Sequence, residues 1–576
     1  MLAAQPDTLQ AVTVVADRGV VVSRTDTVLI SSTSDAGATL MSIPALYVGD
    51  YGGLSGLKSA SLRGLGSAHT AVYVDGVRMG NVQSGQADLG LLDLSSLASV
   101  SVDYAQNSLS FQTARPVFHG RPIAGKYSVE MGSFGTFQPY ARFDFRLNEQ
   151  SSLSIHGAYL STDGFRTNDD LFRIHGGVDL FGLLRGGDYH VKAFASSAER
   201  GTPGSVSWPS TDRQLDQNVY AQGLLRKAFS PVYSLQLSAK AAYDKLFYQS
   251  EWGDSDYNQA EFQLNSAHKF RLQPWWELSL AADVAFDKLN SSLYQQQRWA
   301  AVGAVASAFR WARFKADVAL EYAGTFDKDV NPWHSFSPSA DLRFTVVPGL
   351  DLVAFGRRAY RTPTFNELYY PGYGNTELKP EDAWLTDAGV DFVRSLGAYA
   401  LKARVDGYYN FLTNKIISAP SASDPYVWLP YNVGKVQAMG ADVLLAAEYA
   451  FQDGKAGLSA RYGWQKAVDK TPDSYTYDQQ IPYVARHTLV LTADAAWKGF
   501  SMNAVFNLRK GRLDSAGEMP DWHTLDLWAG KSFCLGQAGA LVFKLSARNL
   551  LNQSYEMVSG YPMPGRSFMG GIEYRF

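Results

Sequence analysis

From about Lys126 to the end of the chain, apolar and polar residues alternate with a period of two. In the stretch LKARVDGYY, Leu401 and Val405 share one face, while Arg404 and Asp406 share the other. Similar stretches recur over about 450 residues without helical interludes. The pattern therefore predicts a long series of β-strands, each apolar on one face and charged on the other.

Two architectures use such strands. A soluble sandwich packs its apolar faces together, whereas a membrane barrel turns them outward to lipid and keeps a polar lumen. Residues 125–576 far exceed a usual sandwich. At about 20 residues per strand and connection they make roughly 22 strands, the size of a plugged transporter barrel. We therefore predict an all-β membrane barrel of about 22 antiparallel transmembrane strands.

The end of the chain supports this prediction. RSFMGGIEYRF keeps the alternation to its last residue, with Phe568, Ile572 and Phe576 on one face and Glu573 on the other. A barrel must pair its last strand with its first, because an open edge in lipid leaves backbone groups unpaired. Phe576 is accordingly predicted to be a lipid-facing residue of the closing strand.

The first part of the chain has a different pattern of short apolar runs broken by Gly and Asp. HTAVYVDGVRMG predicts a strand entering a tight hairpin at Asp75-Gly76. We predict three segments: a periplasmic N-terminal segment over 1–20, an α/β plug domain inside the lumen over 21–124, and the transmembrane barrel over 125–576.

Composition narrows the function. A net charge of -3 gives no reason to expect a nucleic-acid partner. The single cysteine, Cys534, excludes an internal disulfide framework. The start MLAAQPDTLQ lacks the features of a secretory signal. Two interpretations stay open: the signal has been removed, or the protein is not exported.

Four motifs, in order, resemble the TonB-dependent outer-membrane receptors over nearly the whole chain. They are LQAVTVVADR, SLRGLGSAHTAVYVDGVRM, YRTPTFNELYYPGYGNTELKPEDAW and the C-terminal ARNLLNQSYEMVSGYPMPGRSFMGGIEYRF. The resemblance implies the outer membrane of a Gram-negative bacterium, contact with its lipid, and active uptake of a large scarce nutrient. It also implies energy from TonB with its ExbB/ExbD complex. No catalytic chemistry and no cofactor is required.

The resemblance also implies roles for individual residues. The first motif resembles a Ton box, which pairs as an added strand with TonB; the predicted coupling residues are Leu9, Ala11, Val12, Thr13, Val14, Val15 and Ala16. The second motif resembles the plug core, with Arg63-Gly64 before the hairpin tip Asp75-Gly76.

One departure from the family pattern lies at the end of the plug. The stretch VDYAQNSLSFQTARPVFHGRPIAGK lacks the usual Arg-Gly-Pro and Gly-Gly. Two interpretations stay open: Arg115 or Arg121 stands in at a remodelled plug end, or coupling differs.

Two other functional classes of outer-membrane barrel are alternatives. An outer-membrane barrel enzyme would need a catalytic cluster in the lumen; no HExxH or GxSxG motif occurs, and His156, His175, His190, His487 and His523 are interpreted as polar lumen or girdle residues. A structural adhesion barrel would need no Ton box.

Acidic loops suggest a structural calcium site outside the cell. Oxygen clusters bind Ca²⁺, and the predicted ligands are Asp163, Asp169, Asp170 and Asp212. The alternative interpretation is that these are solvated loop charges.

The expected substrate is cobalamin or a related corrinoid, with a ferric siderophore second and haem third. NVQSGQADL resembles the substrate-facing plug apex of the cobalamin receptors, and the chain is short for the family, as they are. The signature between Tyr360 and Asp387 contains no histidine, which argues against haem. The predicted contact residues are Ser84, Gln86, Asp88, Tyr373 and Trp428. A surface lipoprotein is a further expected partner.

Overall fold

Twenty-two antiparallel strands close into one barrel around an N-terminal plug in the computed structural model of the chain. The structure describes residues 25–30, 36–43, 46–420, 428–514 and 516–576. The predicted Ton box, Leu9 to Ala16, lies outside the described residues. Among the residues described, no helix is long and apolar enough to cross a membrane.

The plug contains a five-stranded mixed sheet and a separate hairpin. The elements of the plug are β1 Thr25–Leu29, α1 Ala36–Leu40, β2 Leu46–Asp50, β3 Lys58–Leu62, β4 Ala71–Val74, β5 Val77–Met79, β6 Leu97–Asp103 and β7 Ser108–Thr113. The sheet has the order β1-β6-β7-β4-β5, in which only the β4–β7 pair is parallel, and β2 pairs with β3 in the hairpin.

The hairpin tip forms as its sequence predicts. Asp75 and Gly76 join β4 to β5 with φ values of 52° and 81°. Two successive positive φ angles characterise the turn that matches the twist of a two-residue hairpin. The Asp75 carboxylate accepts hydrogen bonds from the backbone and hydroxyl of Thr113, at 2.8 and 2.6 Å. The tip is therefore tied to the end of β7, where the chain leaves the plug.

The barrel begins at β8, whose first residue, Ile123, lies within two residues of the predicted boundary. One helix and four short strands lie in the long connections: α2 Phe365–Tyr369, β27 Arg512–Leu513, β28 Glu518–Met519, β31 Glu556–Val558 and β32 Tyr561–Pro562. The barrel strands are β8 Ile123–Gly132, β9 Thr136–Arg146, β10 Ser151–Thr162, β11 Leu171–Leu184, β12 Gly187–Gly204, β13 Pro209–Ala228, β14 Tyr233–Gln249, β15 Ser255–Gln273, β16 Trp276–Ser291, β17 Gln295–Arg310, β18 Phe314–Asp327, β19 Trp333–Val347, β20 Leu350–Arg361, β21 Glu381–Leu396, β22 Tyr399–Pro420, β23 Trp428–Phe451, β24 Gly454–Asp469, β25 His487–Trp497, β26 Phe500–Lys510, β29 Trp522–Cys534, β30 Ala540–Arg548 and β33 Ser567–Arg575.

The barrel closes between β33 and β8, as the C-terminal alternation predicts. Met569 to Arg575 pair with Gly132 to Lys126. Phe576 exchanges backbone hydrogen bonds with Gly125 at 3.1 and 3.2 Å and stacks on Tyr127. The closure removes the open edge that lipid would penalise.

The strand faces are distributed as expected for a barrel in lipid. Along β11, Phe172 and Ile174 are about half exposed on the outside, whereas Arg173 and His175 are buried against the plug. At one end of the barrel, strands are joined by turns such as 185–186 and 498–499, and at the other by long segments such as 362–380. Because barrels of this kind keep short turns in the periplasm, the long segments are extracellular.

Candidate functional site

A cavity opens between the plug apex and the barrel wall on the extracellular side. Its volume is about 360 Å³, which lies at the lower end of the roughly 300–1,000 Å³ of small-molecule sites. The floor is the plug segment from Met79 to Leu97. The wall comes from β12 to β16, near the ends that carry the long connections.

Carboxamides characterise the lining of this cavity. Seven amide side chains lie on the plug, on lumen-facing strand positions or on α2: Asn81, Gln83, Gln86, Gln214, Asn218, Gln259 and Asn366. Gln217 and Lys245 also border it, but they pair with each other on the outward phase of β13 and β14.

Charges around the cavity nearly balance. The basic residues are Lys192, Arg200 and Lys240, and the acidic residues are Asp88, Asp93, Asp216 and Asp244. Several of these pair with one another; Arg200, for example, contacts Asp88 at 3.0 Å and Asp216 at 3.1 Å. No histidine lines the cavity in the described part of the chain. Such a lining suits a ligand with little net charge and many amide or carbonyl groups.

The structure brings three of the five predicted substrate residues to this cavity. Ser84, Gln86 and Asp88 all line it, and Ser84 is exposed. Gln86 accepts a hydrogen bond from the Ser67 hydroxyl at 2.6 Å. Asp88 caps a short 3₁₀ turn by accepting from the Gly90 backbone at 2.9 Å. Asp88 and Gln86 therefore also shape the apex, and their contact with substrate stays a prediction.

The other two predicted substrate residues lie in the extracellular connections and do not line this cavity. The Tyr373 hydroxyl hydrogen-bonds with Ser418 at 2.6 Å. Trp428, at the start of β23, is 54 % exposed. For both residues, a contact with the substrate from the extracellular loops stays a prediction.

The mid-barrel signature forms a helix that contacts the plug apex directly. Thr364 caps α2 in a reciprocal capping box with Glu367. The backbone amides of Phe365 and Asn366 donate to the carbonyls of Val82 and Gln83, both at 3.1 Å. Phe365 itself is fully buried. The extracellular connection is therefore joined to the plug segment that forms the floor of the cavity.

The predicted plug residue Arg63 is the centre of a second contact with the barrel. Its guanidinium lies 2.8 Å from Asp387 on β21 and 3.1 Å from Asp442 on β23. It also lies over the rings of Tyr104 and Tyr408, at 4.6 and 4.1 Å. Arg63 has φ 49° and Gly64 φ 74°, so the pair forms a turn that projects the guanidinium at the wall.

The two arginines at the plug end both reach the periplasmic part of the barrel. Arg115 pairs with Asp188 at 2.9 Å, and Arg121 donates to the carbonyl of Gln537. They attach the exit of the plug to two separate parts of the periplasmic rim, the start of β12 and the connection between β29 and β30. A part for either one in coupling stays a prediction.

Three of the four predicted calcium ligands are engaged in other contacts, and Asp212 accepts a hydrogen bond from the Tyr248 hydroxyl at 2.6 Å. Asp170 forms a bidentate pair with Arg213 at 2.7 and 2.9 Å. Burial raises the pKa of Asp169, whose carboxylate accepts from Ser55 and from the Phe165 backbone. Within the described ranges, no three or more His, Cys, Asp or Glu side chains are grouped to hold a metal ion. The calcium site stays a prediction.

The structure places the histidines that were interpreted as polar lumen or girdle residues in two different surroundings. His156, His175 and His190 are buried in the lumen and meet aspartates of the plug or the wall. His487, by contrast, hydrogen-bonds with Tyr462 at 2.8 Å in an exposed contact. The available signal was that the three buried histidines share the lumen phase of three consecutive strands.

Comparison with known proteins places these features in context. The family described as "TonB dependent receptor-like, beta-barrel" matches residues 50–550. The chain is 24% identical to the vitamin B12 transporter BtuB of Vibrio vulnificus (strain YJ016), over 93% of this chain and 89% of that protein. It is 21% identical, with the same coverage, to BtuB of Vibrio cholerae serotype O1.

Solved structures share the fold at low identity. The unliganded ferric citrate transporter FecA superposes with a TM-score of 0.80 at 12% identity, covering 96% of this chain and 97% of that one. The copper transporter OprC gives a TM-score of 0.78 at 15% identity, covering 96% and 99%.

Proposed function

The chain belongs to the TonB-dependent receptor family, and we propose that the nutrient it imports is cobalamin or a related corrinoid. Membership makes the chain a transporter of the Gram-negative outer membrane rather than a barrel enzyme. It also implies coupling to TonB. ExbB/ExbD as the energy source, a surface lipoprotein and a calcium site remain further proposals.

The lining of the extracellular cavity carries the proposal. A corrinoid is large, has little net charge and bears a ring of peripheral carboxamides. Amide side chains offer both a donor and an acceptor to such groups. Seven amides and nearly balanced charges therefore support a corrinoid in this cavity. The relatives named vitamin B12 transporters support the same substrate.

The same lining argues against the two alternatives. A ferric siderophore with net negative charge would favour an excess of basic side chains, whereas the lining of this cavity has no such excess. Haem iron is usually held by His, Cys, Met or Tyr. No histidine lines the cavity in the described part of the chain, so haem iron would have to be held by Met79, Tyr220 or Tyr257 alone, and haem is the weaker candidate.

Calorimetry on the detergent-purified protein tests the proposal. Cyanocobalamin, haem and a ferric catecholate are titrated in parallel into the same preparation. We expect saturable binding of cyanocobalamin, much tighter than that of the other two ligands. Tight binding of haem or of the ferric complex, without binding of the corrinoid, would overturn the substrate assignment and leave the transporter class unaffected.

A further inference from the structure

Three histidines on consecutive barrel strands meet two aspartates of the plug and one of the barrel wall. His156 on β10 and His175 on β11 both contact plug Asp93, at 3.2 and 2.9 Å. His190 on β12 lies 2.7 Å from Asp179 of the wall and 3.8 Å from plug Asp75. His156 also lies 3.6 Å from Asp179. The contacts therefore form one connected chain.

This chain of contacts is shielded from water along its length. The three histidine side chains are 0–5 % exposed, and the aspartate side chains at most 10 %. Opposite charges attract more strongly in such surroundings than at a surface. A change of protonation here therefore acts on the contact between plug and barrel.

The two ends of the chain lie at functional positions of the plug. Asp93 lines the extracellular cavity and also accepts a hydrogen bond from the Ser95 backbone at 3.0 Å. Asp75 is the hairpin tip, which holds Thr113 at the point where the chain leaves the plug. The contacts thus extend from the cavity floor to the plug exit.

The surrounding charges leave a deficit of positive charge when the histidines are neutral. The three aspartates are opposed by two permanent cations, Lys192 and Arg173. Lys192 lies 3.8 Å from Asp179, and the guanidinium of Arg173 donates to the Gly90 carbonyl. The adjacent Arg142 and Asp144 pair with each other at 2.8 Å, so their charges cancel. The remaining titratable neighbours are the phenols of Tyr140 and Tyr220. Protonating one histidine offsets the remaining negative charge.

We propose that His156, His175 and His190 are positioning residues that hold the plug in the barrel through Asp93 and Asp75, and that this hold tightens when the histidines are protonated. Histidine is the side chain that changes charge between about pH 5 and pH 8. Acidification within this range therefore strengthens the contact that TonB-driven movement of the plug has to break. The proposal rests on the transporter class and not on the identity of the nutrient.

The state of Asp93 supports the assignment of the pH dependence to histidine. Burial acts to raise the pKa of Asp93, but the nearby charges of His175 and His156 outweigh it and hold that pKa well below its usual range. A carboxyl group whose pKa is lower in the folded state contributes stability at pH values above its unfolded-state pKa. That contribution is lost only when the pH falls through the lower, folded-state pKa. Asp93 therefore takes up its proton below the ordinary carboxyl range, well outside the range in which histidine side chains usually change charge.

Hydrogen exchange tests the proposal on the full-length protein without ligand. Exchange of plug peptides covering 93–113 is measured by mass spectrometry at pH 8 and pH 5.5 and corrected for the intrinsic pH dependence. We expect about tenfold slower exchange at pH 5.5, the effect of one favourable proton-linked interaction. Corrected rates that are equal at the two pH values in the wild-type protein would overturn the proposal without any variant.

Two substitutions localise the effect. His175→Gln keeps a hydrogen-bond donor but does not titrate, so most of the pH effect should disappear. His487→Gln replaces a histidine outside the plug contact and should retain the wild-type effect. An effect of the same size in His175→Gln and the wild-type protein would contradict the assignment. Heat-dependent gel migration identifies a variant that has not folded, and Asp93→Asn then replaces it with the same expectation.

Discussion

Arg63 of the plug and Asp387 of β21 form an ion pair of 2.8 Å whose side chains are 4 % and 0 % exposed. Asp442 shares the same guanidinium. Removing one member of a buried pair leaves an uncompensated charge and costs about 3–5 kcal/mol. We therefore expect Arg63→Met to loosen the plug while the barrel stays folded, measured as faster proteolysis of plug peptides in the detergent-purified protein.

The matched control for this prediction neutralises the partners as well. In Arg63→Met combined with Asp387→Asn and Asp442→Asn, no buried charge is left unpaired by the change. Protease resistance should recover in large part. Equal susceptibility of the single and the triple variant would show that packing of the guanidinium on Tyr104 and Tyr408, rather than charge, holds this contact.

Gly85 is expected to be essential for the contact between the plug apex and α2. It has φ +73°, and a Cβ built on it would lie 2.5 Å from Cγ2 of Thr364, the capping residue of α2. Gly85→Ala should therefore displace α2 at a local cost of roughly 1–3 kcal/mol and weaken cyanocobalamin binding in calorimetry. Gly303→Ala is the control, because nothing lies within 4 Å of its Cβ and it does not line the cavity. Equal affinities of the two variants would contradict this role.

Filling the cavity should block the substrate. Ser84 is an exposed residue of the cavity floor. Ser84→Trp adds a large ring there and should weaken cyanocobalamin binding at least about tenfold, a loss of ~1.4 kcal/mol. The control, Gln537→Trp, adds the same side chain at an exposed periplasmic position and should bind like wild type. Unchanged affinity in Ser84→Trp would mean that the substrate binds elsewhere.

The predicted Ton box gives a test of coupling. A proline at Val14 removes one backbone donor and fixes φ, so the added strand with TonB cannot form fully. Val14→Pro should abolish energised uptake and leave surface binding intact. Val14→Ile keeps a β-branched residue and should transport normally. Wild-type uptake in Val14→Pro would refute the predicted coupling segment.

Much of the fold follows from the sequence because alternation specifies which face of each strand meets lipid. Phe568 and Ile572 are exposed and Glu573 is buried, as their phase predicts. The strand number followed from chain length and the usual repeat per strand. The hairpin at Asp75-Gly76 followed from local turn chemistry.

The site could be predicted only in part. The position of Ser84 followed from motif order. Tyr373 and Trp428 lie outside the cavity, which could not be predicted, because alternation does not specify where an extracellular connection turns. The histidine contacts depend on strand register, which places His175 opposite Ala158. They also depend on which plug residue meets that wall. Neither is encoded in the phase of a single strand.

Uptake by living cells tests the central claim most directly. The chain is expressed in a Gram-negative strain that lacks its own corrinoid receptor, with and without TonB, and accumulation of labelled cyanocobalamin is measured over time. We expect accumulation that requires both this chain and TonB and that Ser84→Trp reduces while Gln537→Trp does not. No accumulation above the receptor-free strain, from a protein shown to be in the outer membrane, would contradict corrinoid import.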